Sequence, residues 1–286
     1  MNVAKVTGMH AQRSGNADRT ASGVEPAKSV AEAASVRGAL RVLEHSVSTP
    51  QPCPYLADRE ATFETLVMVE VLPGEVSQLL SRGWRRFGPS YFRPVCPNCD
   101  ACDSLRITLD TFEPSTSQRR VLKKNADVEV SVGEPVVDEE RLALYRAWHA
   151  NRESSRGWSP DHMDAEGYAL HFAFAHPAAR EFAYRIDGTL VGVGLSDETP
   201  DAVSAAYFYF SPTYASRSLG TLNVLTQALW GRTRGRGFLY LGYRVEGCAS
   251  LRYKGSFVPH ERLLARVVGG TAPRWAIPES PGSDSG

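Results

Sequence analysis

The second half of the chain carries an ordered succession of predicted elements, which restricts the fold more than any other feature. Two strands joined by Asp187-Gly188 open it, and this pair is typical of a type I′ hairpin because both central positions favour positive φ. A third strand, a loop, an apolar helix and a final strand follow. The predicted ranges are 181–186, 189–196 and 203–210 for the strands, 217–220 for the loop, 221–230 for the helix and 238–245 for the last strand. This order predicts an α+β fold with a mixed sheet.

The composition excludes several classes of protein. With 286 residues, of which 42% are hydrophobic and 22% charged, the chain is long enough for one large domain or two ordinary ones. No uninterrupted apolar stretch would span a bilayer and no secretory signal pattern is visible, so we expect a cytoplasmic protein with no membrane partner. The formal net charge is zero. Binding to nucleic acid would therefore need a local basic surface.

The sequence predicts four parts. Residues 1–48 are expected to be a disordered extension that contains a short amphipathic helix over 30–45. An N-terminal part with a cysteine cluster covers 49–135, a C-terminal domain built on the mixed sheet covers 136–270, and a disordered tail covers 271–286. Within the N-terminal part, a single strand is predicted over 84–93, and Ser115 with Gln118 forms a capping box at the start of a basic helix.

Seven stretches between Cys53 and Leu264 carry the most distinctive motifs. They are CPYLADREAT (53–62), RGWRRFGPSYFRPVCPNCDACDSLRI (82–107), SQRRVLKKNAD (117–127), YFYFSP (207–212), RSLGT (217–221), YLGYRVEGC (240–248) and RYKGSFVPHERL (252–263). Taken in this order, the set resembles the arginyl-tRNA–protein transferase family and its bacterial aspartate/glutamate leucyltransferase branch. No single stretch is decisive, but the ordered set is specific.

The resemblance implies a two-part enzyme in which a smaller cysteine-bearing N-terminal part packs against a GNAT-like acyltransferase domain. It implies a charged tRNA as the donor and a protein that begins with Asp or Glu as the acceptor. The product would carry a destabilising N-terminal residue and enter the N-degron degradation pathway. The bacterial cysteine pattern indicates leucine as the transferred residue, with arginine as the alternative.

In the GNAT-like fold that the resemblance implies, two neighbouring strands separate to admit the acyl donor, and the N-terminus of the next helix holds phosphate. Arg217, Ser218 and Gly220 precede the predicted helix as a phosphate-binding loop does, and Gly220 permits close backbone approach. The glycine repeat of acetyl-CoA loops is missing. We therefore predict that these three residues bind the tRNA terminus, and a GNAT-class N-acetyltransferase is the less favoured alternative.

The expected reaction needs little covalent help, because an aminoacyl ester is already activated and part of the attacking α-amine, with a pKa of about 7.7–8.0, is neutral. We expect the enzyme to orient its substrates and stabilise an oxyanion, with no cofactor required. Tyr243 is the first predicted catalytic residue, Tyr207 is the second, and Glu246 is a candidate proton acceptor. The alternatives are sheet packing for the tyrosines and an ordinary loop carboxylate for Glu246.

The acidic side chain of the acceptor calls for a cation in the binding site. The candidates are Arg119 and Arg120 in the SQRR motif, and Lys254 with Tyr253 in the RYK motif. Arg119 and Arg120 lie on the basic predicted helix. Two other interpretations of that helix are contact with tRNA phosphates and a solvated surface, and the sequence does not separate the three.

Cys96, Cys99 and Cys102 form a CxxCxxC run, and Cys53 could complete a tetrahedral metal site with a fourth sulfur. Without a secretory signal, reduced thiols or a metal are favoured over disulfides. The resemblance adds iron–sulfur chemistry, since eukaryotic family members are cysteine-rich here, although this chain has one cysteine in the first motif where they have two. Zinc, an iron–sulfur cluster and reduced thiols all remain open. A non-catalytic zinc knuckle that binds RNA is disfavoured by the motifs of the C-terminal half.

Overall fold

A computed structural model describes residues 41–278 of the chain. Its strands form a large mixed sheet, a four-stranded sheet and a two-stranded ribbon. They are β1 (Arg41–Val47), β2 (Gln51–Pro52), β3 (Glu60–Ala61), β4 (Phe63–Val69), β5 (Arg85–Phe87), β6 (Ser90–Pro94), β7 (Asp103–Thr108), β8 (Glu129–Gly133), β9 (Ala179–Ile186), β10 (Thr189–Glu198), β11 (Ala202–Phe210), β12 (Phe238–Arg244), β13 (His260–Leu263) and β14 (Trp275–Ala276).

The helices of this described part cover both faces of the large sheet. They are α1 (Pro73–Ser81), α2 (Thr116–Lys124), α3 (Glu139–Arg156), α4 (Ala165–His171), α5 (Leu219–Thr233) and α6 (Ala249–Arg252), with 3-10 turns at Pro212–Arg217 and Tyr253–Ser256. The predicted capping box of α2 is confirmed, because Ser115 Oγ accepts from the Gln118 amide and Gln118 Oε1 accepts from the Ser115 amide. Among residues 41–278, none of the helices is both long and apolar enough to cross a membrane.

The four-stranded sheet begins earlier in the chain than predicted. β1 pairs antiparallel with β4 and lies at the edge of this sheet. The predicted helix over 30–45 is therefore wrong over residues 41–45, and residues 30–40 lie outside the described part. The backbone ladder and a hydrogen bond between His45 Nε2 and Glu64 Oε1 (3.0 Å) outweigh the helical spacing of apolar residues in this segment.

The single strand predicted over 84–93 is instead a hairpin. β5 and β6 pair antiparallel, with Arg85 opposite Phe92 and Phe87 opposite Ser90. Gly88 makes the turn possible, because its φ of +55° lies in the left-handed region that favours glycine.

The large sheet has the order β14-β13-β7-β12-β11-β10-β9-β8, and the predicted α+β class with a mixed sheet is confirmed. Two of its strands, β7 and β8, come from the range assigned to the N-terminal part, so the predicted boundary at 135/136 does not coincide with a boundary between sheets. β14 lies within the predicted disordered tail, yet it pairs with β13, and the Trp275 indole donates to Ser81 O (2.9 Å). Residues 279–286 of that tail lie outside the described part.

The sheet opens between β11 and β12. These strands are parallel and pair only at their beginnings, where Ala202, Val203 and Ser204 lie opposite Phe238, Leu239 and Tyr240. Beyond Ser204 the two strands no longer pair, and the pairing of β12 with β7 on its other side is interrupted by a bulge at Gly242, whose φ is +76°.

Each face of the sheet around this opening has its own apolar core. On one face, Val224 of α5 packs in a cluster of buried residues that includes Ile107 of β7 and Leu239 of β12. On the other face, α3 and α4 pack with the four-stranded sheet in a cluster that includes Tyr145 and Phe87. The opening therefore lies between two well-packed layers.

Candidate active site

A cavity of about 300 Å³ occupies the opening between β11 and β12, and we call it the slot. It is bounded by the diverging parts of the two strands, the N-terminal turn of α5, the C-terminal half of α3, and the segment from α6 to the following 3-10 turn. The described residues that line it are Trp148, Arg152, Arg156, Trp158, Ala205, Ala206, Tyr207, Phe208, Phe210, Gly220, Asn223, Val224, Leu241, Ala249, Ser250, Leu251, Tyr253 and Lys254. This is the opening that the GNAT-like resemblance predicted.

The charge of the slot is uniformly positive. Arg152, Arg156 and Lys254 line it, and the described lining contains no Asp, Glu, His or Cys. None of the three cations forms an ion pair with a described carboxylate. Burial, followed by the charge of nearby Arg156, lowers the pKa of Arg152 to about 10. Unpaired cations in a partly enclosed cavity favour an anionic ligand.

Aromatic rings form much of the remaining wall. Trp148, Trp158, Tyr207, Phe208, Phe210 and Tyr253 contribute them. The Arg152 guanidinium lies 3.7 Å from the centre of the Trp148 ring, and Trp148 packs on Phe210 with ring centres 4.6 Å apart. Cations and flat rings together suit a ligand that carries both phosphate and bases.

Tyr207, one of the predicted catalytic residues, is in the slot. Its ring stacks on Phe172 with centres 5.2 Å apart, which fixes its orientation. Its hydroxyl is buried and donates to no described residue; burial raises the pKa of Tyr207, and the neighbouring Trp148 indole opposes this shift. Tyr207 is therefore a residue of the slot lining whose protonated hydroxyl has no described acceptor.

Tyr243, the first predicted catalytic residue, is not in the slot, and this prediction is corrected. Its hydroxyl is buried and donates to Gly83 O (2.9 Å) and Phe92 O (3.3 Å), so it joins β12 to the four-stranded sheet. It lines the cysteine-bearing cavity on the other side of β12. The bulge at Gly242 explains the error, because it places Leu241 in the slot and Tyr243 outside it, although strict strand alternation would put both on one face.

Glu246, the predicted proton acceptor, also lies outside the slot. It follows β12 in a loop, its side chain is 65% exposed, and it forms an ion pair with Arg244. The alternative interpretation of Glu246 as a loop carboxylate matches this position.

The start of α5 faces the slot as predicted for a phosphate-binding loop. Ser218 adopts φ +58° at the N-cap, and the amides of Thr221 and Leu222 are the first to bond to its carbonyl. The amides of Leu219 and Gly220 therefore have no partner within the helix. Gly220 lines the slot, and a Cβ there would meet nothing within 4 Å. The helix end thus offers two free donors and a positive dipole.

Arg217 lies at the rim, beside the helix start. Its Nη1 donates to Asp127 Oδ1 (2.7 Å), and this ion pair joins the turn before α5 to the segment after α2. The side chain of Arg217 is thus already paired, unlike the cations inside the slot.

The basic helix α2 lies outside the slot and is fastened to both of its rims. Lys124 Nζ donates to Ser216 O (2.7 Å) and Asn125 Nδ2 to Arg217 O (2.9 Å), while Gln118 Nε2 donates to Ser256 O (3.3 Å). The predicted binding residues Arg119 and Arg120 are exposed on this helix. They are placed for a ligand that extends beyond the slot rather than for a group inside it.

Lys254 and Tyr253, the other predicted binding residues, do line the slot. Lys254 Nζ donates to Tyr243 O (3.1 Å), and the side chain is half-buried. Burial and the nearby charge of Arg85 lower the pKa of Lys254 to about 7, and Cys248 opposes this shift. Tyr253 is 42% exposed and marks the mouth of the slot.

Several slot residues were not predicted from the sequence. Trp148, Arg152 and Arg156 are spaced four residues apart on α3, so they share one helical face. That spacing is visible in the sequence, but the same pattern is typical of an ordinary solvent-facing helix. Only the packing of α3 against the opening distinguishes the two.

A second cavity, of about 180 Å³, lies on the other side of β12, and we call it the cysteine cavity. Cys53, Cys96, Cys99 and Cys102 line it, and all of the described cysteines are free thiols. The Thr62 amide donates to Cys96 Sγ (3.4 Å), and Arg59 Nη1 donates to Cys99 Sγ (3.3 Å).

The predicted metal site in the cysteine cavity stays a prediction. Burial raises the pKa of the Cys102 thiol, and the other three cysteines of the cavity raise it further, so in the absence of a cation this sulfur is protonated. Among the described residues, no group of three or more His, Cys, Asp or Glu is placed to hold a metal ion. The arrangement of these thiols therefore does not fit a metal as it stands.

The comparisons with known proteins agree along most of the chain. The family described as arginine-tRNA-protein transferase matches over residues 51–120 with its N-terminal model and over residues 140–264 with its C-terminal model. A relative from Helicobacter hepaticus, named aspartate/glutamate leucyltransferase, is 35% identical over 231 residues, which cover 80% of this chain and 96% of that protein. The chain belongs to the arginine-tRNA-protein transferase family. It is an enzyme, and members of its family act on tRNA and protein.

Further comparisons extend this result. A second relative of the same name, from Halorhodospira halophila, is 40% identical over 212 residues, which cover 73% of this chain and 89% of that protein. The family assignment made from the seven motifs is confirmed. Among solved structures, the crystal structure of FemX is similar to this chain with a TM-score of 0.40 and 9% identity, over 65% of this chain and 64% of that one.

Proposed function

We propose that this enzyme transfers leucine from leucyl-tRNA to proteins that begin with Asp or Glu, marking them for degradation through the N-degron pathway. The relatives described above are named for leucine transfer and for aspartate and glutamate. The observation that carries the proposal is the slot, where two unpaired arginines, Lys254 and six aromatic rings meet and the described lining has no acidic side chain. Both substrates are anionic at their reacting ends, one through phosphate and the other through a side-chain carboxylate.

In this proposal the slot receives the aminoacyl end of the tRNA. The free amides at the start of α5, with Ser218 and Gly220, hold a terminal phosphate. Arg152 and Arg156 supply positive charge to the phosphates or to the acceptor carboxylate. Tyr253, exposed at the mouth, offers a ring on which a base can stack.

The remainder of the tRNA would extend along α2. Arg119 and Arg120 are exposed on α2, and Arg217 is joined to the segment after α2 by its ion pair with Asp127. We propose that these residues contact phosphates of the acceptor stem, so their effect should depend strongly on salt concentration. Because charged tRNA is the donor, the enzyme is proposed to act in the cytoplasm.

The chemistry proposed for the slot is direct aminolysis. The neutral α-amine of the acceptor attacks the ester carbonyl, and the Tyr207 hydroxyl donates to the oxyanion that forms. The ester is already activated, so neither a covalent intermediate with the enzyme nor a metal is required for transfer. The positive charges around the slot also stabilise the developing negative charge.

An in vitro transfer assay tests the proposal. Peptides that begin with Asp or Glu are incubated with the enzyme and bulk charged tRNA, and mass spectrometry measures the product. A gain of one leucine is expected, and otherwise identical peptides that begin with Asn or Gln should stay unmodified. A gain of one arginine would replace leucine with the alternative donor, and no transfer to either acidic peptide would overturn the proposal.

A further inference from the structure

The slot contains a single group that can exchange a proton near neutral pH. Its described lining has no Asp, Glu, His or Cys. Arg152 keeps its proton, since its pKa is lowered only to about 10, and burial raises the pKa values of Tyr207 and Tyr253. Lys254 is the exception, with a pKa lowered to about 7. The aminolysis proposed above releases a proton from nitrogen and needs one at the departing ribose oxygen.

The surroundings of Lys254 disfavour a permanent charge on its amine. Its Nζ bonds to one neutral group, the carbonyl of Tyr243 (3.1 Å). A Cβ added at Gly242 would lie 3.4 Å from Lys254 Nζ and 3.7 Å from Arg85 Nε, so both side chains lie against the same segment of β12. Two cations on one short stretch of backbone repel each other.

Arg85 cannot give up its charge, and it has no described carboxylate partner. Its side chain is buried, with the residue only 6% exposed, and it donates to the carbonyls of Trp84 (2.6 Å) and Gly242 (3.4 Å). The rings of Tyr240 and Tyr243 lie 5.6 and 5.2 Å from it. An arginine stays protonated under such conditions. The repulsion between the two cations is therefore relieved when Lys254 loses its proton.

The other elements around Lys254 contribute little that would stabilise its protonated form. Cys248, just before α6, is the nearby described group that favours the ammonium form, and it does so only as a thiolate. Across the slot stand Arg152 and Arg156, which are both cationic. Because its pKa is lowered to about 7, a large fraction of Lys254 is a neutral amine near neutral pH, and this residue lines the cavity in which the substrates are proposed to meet.

We propose that Lys254 is the proton acceptor and donor of the transfer step, rather than the cation that binds the acceptor carboxylate. The acceptor nitrogen forms its bond to the ester carbon, and Lys254 takes the proton that this nitrogen loses. The bond between the ester carbon and the ribose oxygen then breaks, and the ammonium of Lys254 returns the proton to that oxygen. Atoms and charges balance with no additional reactant. This role rests on the proposed function.

Two substitutions separate the two roles of Lys254. Lys254→Arg keeps a positive charge but cannot accept a proton, and Lys254→Ala removes both properties. Single-turnover rates are measured with leucyl-tRNA and a saturating Asp-peptide. Both variants should be slowed about 100-fold or more, with peptide and tRNA affinities nearly unchanged. Ethylamine should restore part of the rate of Lys254→Ala and none of the rate of Lys254→Arg.

The pH profile provides a second readout. The neutral amine is the active form, so the wild-type rate should fall as the pH drops through about 7, where Lys254 becomes protonated. This limb should disappear in Lys254→Arg, which leaves only the titration of the acceptor amine. Lys123→Arg on α2 is the matched control and should keep the wild-type profile. Near-normal rates for Lys254→Arg would overturn the proposal in favour of carboxylate binding.

An NMR titration tests the amine without any reaction. The chain has five lysines, so selective 15N,13C-lysine labelling gives few signals, and the Lys254 signal is the one missing in Lys254→Arg. It should titrate more than two pH units below the others. A Lys254 that stays charged through pH 9 would overturn its role even if leucine transfer is observed. If the wild-type enzyme transfers nothing while Lys254 titrates as expected, the proposed function is contradicted but the lowered pKa of Lys254 is not.

Discussion

The two cavities on either side of β12 differ in how their charges are used. In the slot, Arg152, Arg156 and Lys254 have no described carboxylate partner. In the cysteine cavity, by contrast, Arg93 is paired with Glu64 (2.7 Å), and Asp103 is paired with Arg244 (3.4 Å) and Arg262 (3.1 Å). The slot therefore has lining cations without a described carboxylate partner, while the cysteine cavity is lined by ion pairs that hold segments of the chain together.

The two cavities also differ in how the hydroxyl of a lining tyrosine is used. Tyr207 lines the slot and its buried hydroxyl donates to no described residue, whereas the hydroxyl of Tyr243 donates to two backbone carbonyls beside the cysteine cavity. Unsatisfied buried polar groups are costly and are most readily explained by a ligand that satisfies them. The comparison teaches that residue type and motif alone do not distinguish the two tyrosines, because both lie in family motifs.

Exchanging the hydroxyl of each tyrosine for hydrogen gives the largest expected difference. Tyr207→Phe should lower the rate of transfer about 100-fold, because an oxyanion donor is lost. Tyr243→Phe should leave the rate within about threefold and lower the free energy of unfolding by about 1–2 kcal/mol, since two buried bonds are lost. Single-turnover kinetics and urea denaturation measure the two effects. Equal loss of rate in both variants would erase the distinction between the cavities.

The unpaired arginines should have the next largest effect. Arg152→Gln and Arg156→Gln are each expected to raise the KM for leucyl-tRNA about tenfold and to make binding less dependent on salt, because a phosphate contact is lost. Arg234→Gln is the matched control, since Arg234 is paired with Glu198 (2.5 Å) outside the slot. A similar rise in KM for the control would mean that the effect reflects net charge rather than the slot.

The cysteine cavity should affect transfer least. Cys99→Ser is expected to change the rate by less than about threefold, because Cys99 touches neither substrate in the proposed arrangement. The same variant tests the predicted metal: a zinc, or iron with sulfide, held by the four thiols would be found in protein purified without oxygen, lost in Cys99→Ser and kept in Cys248→Ser. Metal-free wild-type protein would contradict the metal prediction and leave four structural thiols.

Local features of the fold were predictable from the sequence. Asp187-Gly188 adopts the positive φ values of 48° and 77° that a type I′ turn needs, and Ser115 with Gln118 forms the expected capping box. Both depend on neighbouring residues only, so the local sequence contains the whole of the information. The seven motifs identified the family because they occur in a fixed order, which is also a property of sequence alone.

The features that were not predicted correctly depend on distant parts of the chain. The bulge at Gly242 reverses the alternation of β12, so the side chains of Leu241 and Tyr243 point into different cavities. A glycine in a strand suggests a bulge, but whether the register shifts there is decided by pairing with β7, which lies more than 100 residues away in the sequence. Likewise, Arg152 and Arg156 became slot residues only through the packing of α3.

The prediction for the C-terminal segment was wrong for the same reason. Trp275 was assigned to a disordered tail, although its indole bonds to Ser81 and its ring packs on Tyr240. Both partners lie far away in the sequence, so nothing near Trp275 indicates that the segment is held in place.

The position of β7 has a consequence for how the enzyme is made. This strand follows the cysteine run directly, yet its neighbours in the sheet are β12 and β13, which are synthesised about 130 to 160 residues later. While the ribosome is still translating the middle of the chain, both edges of β7 lie unpaired. β12, the strand that separates the two cavities, has not yet been made. Pairings between such distant segments form slowly. We therefore expect this enzyme to become active only after β12 and β13 have been synthesised, and β7 to be exposed to aggregation until then.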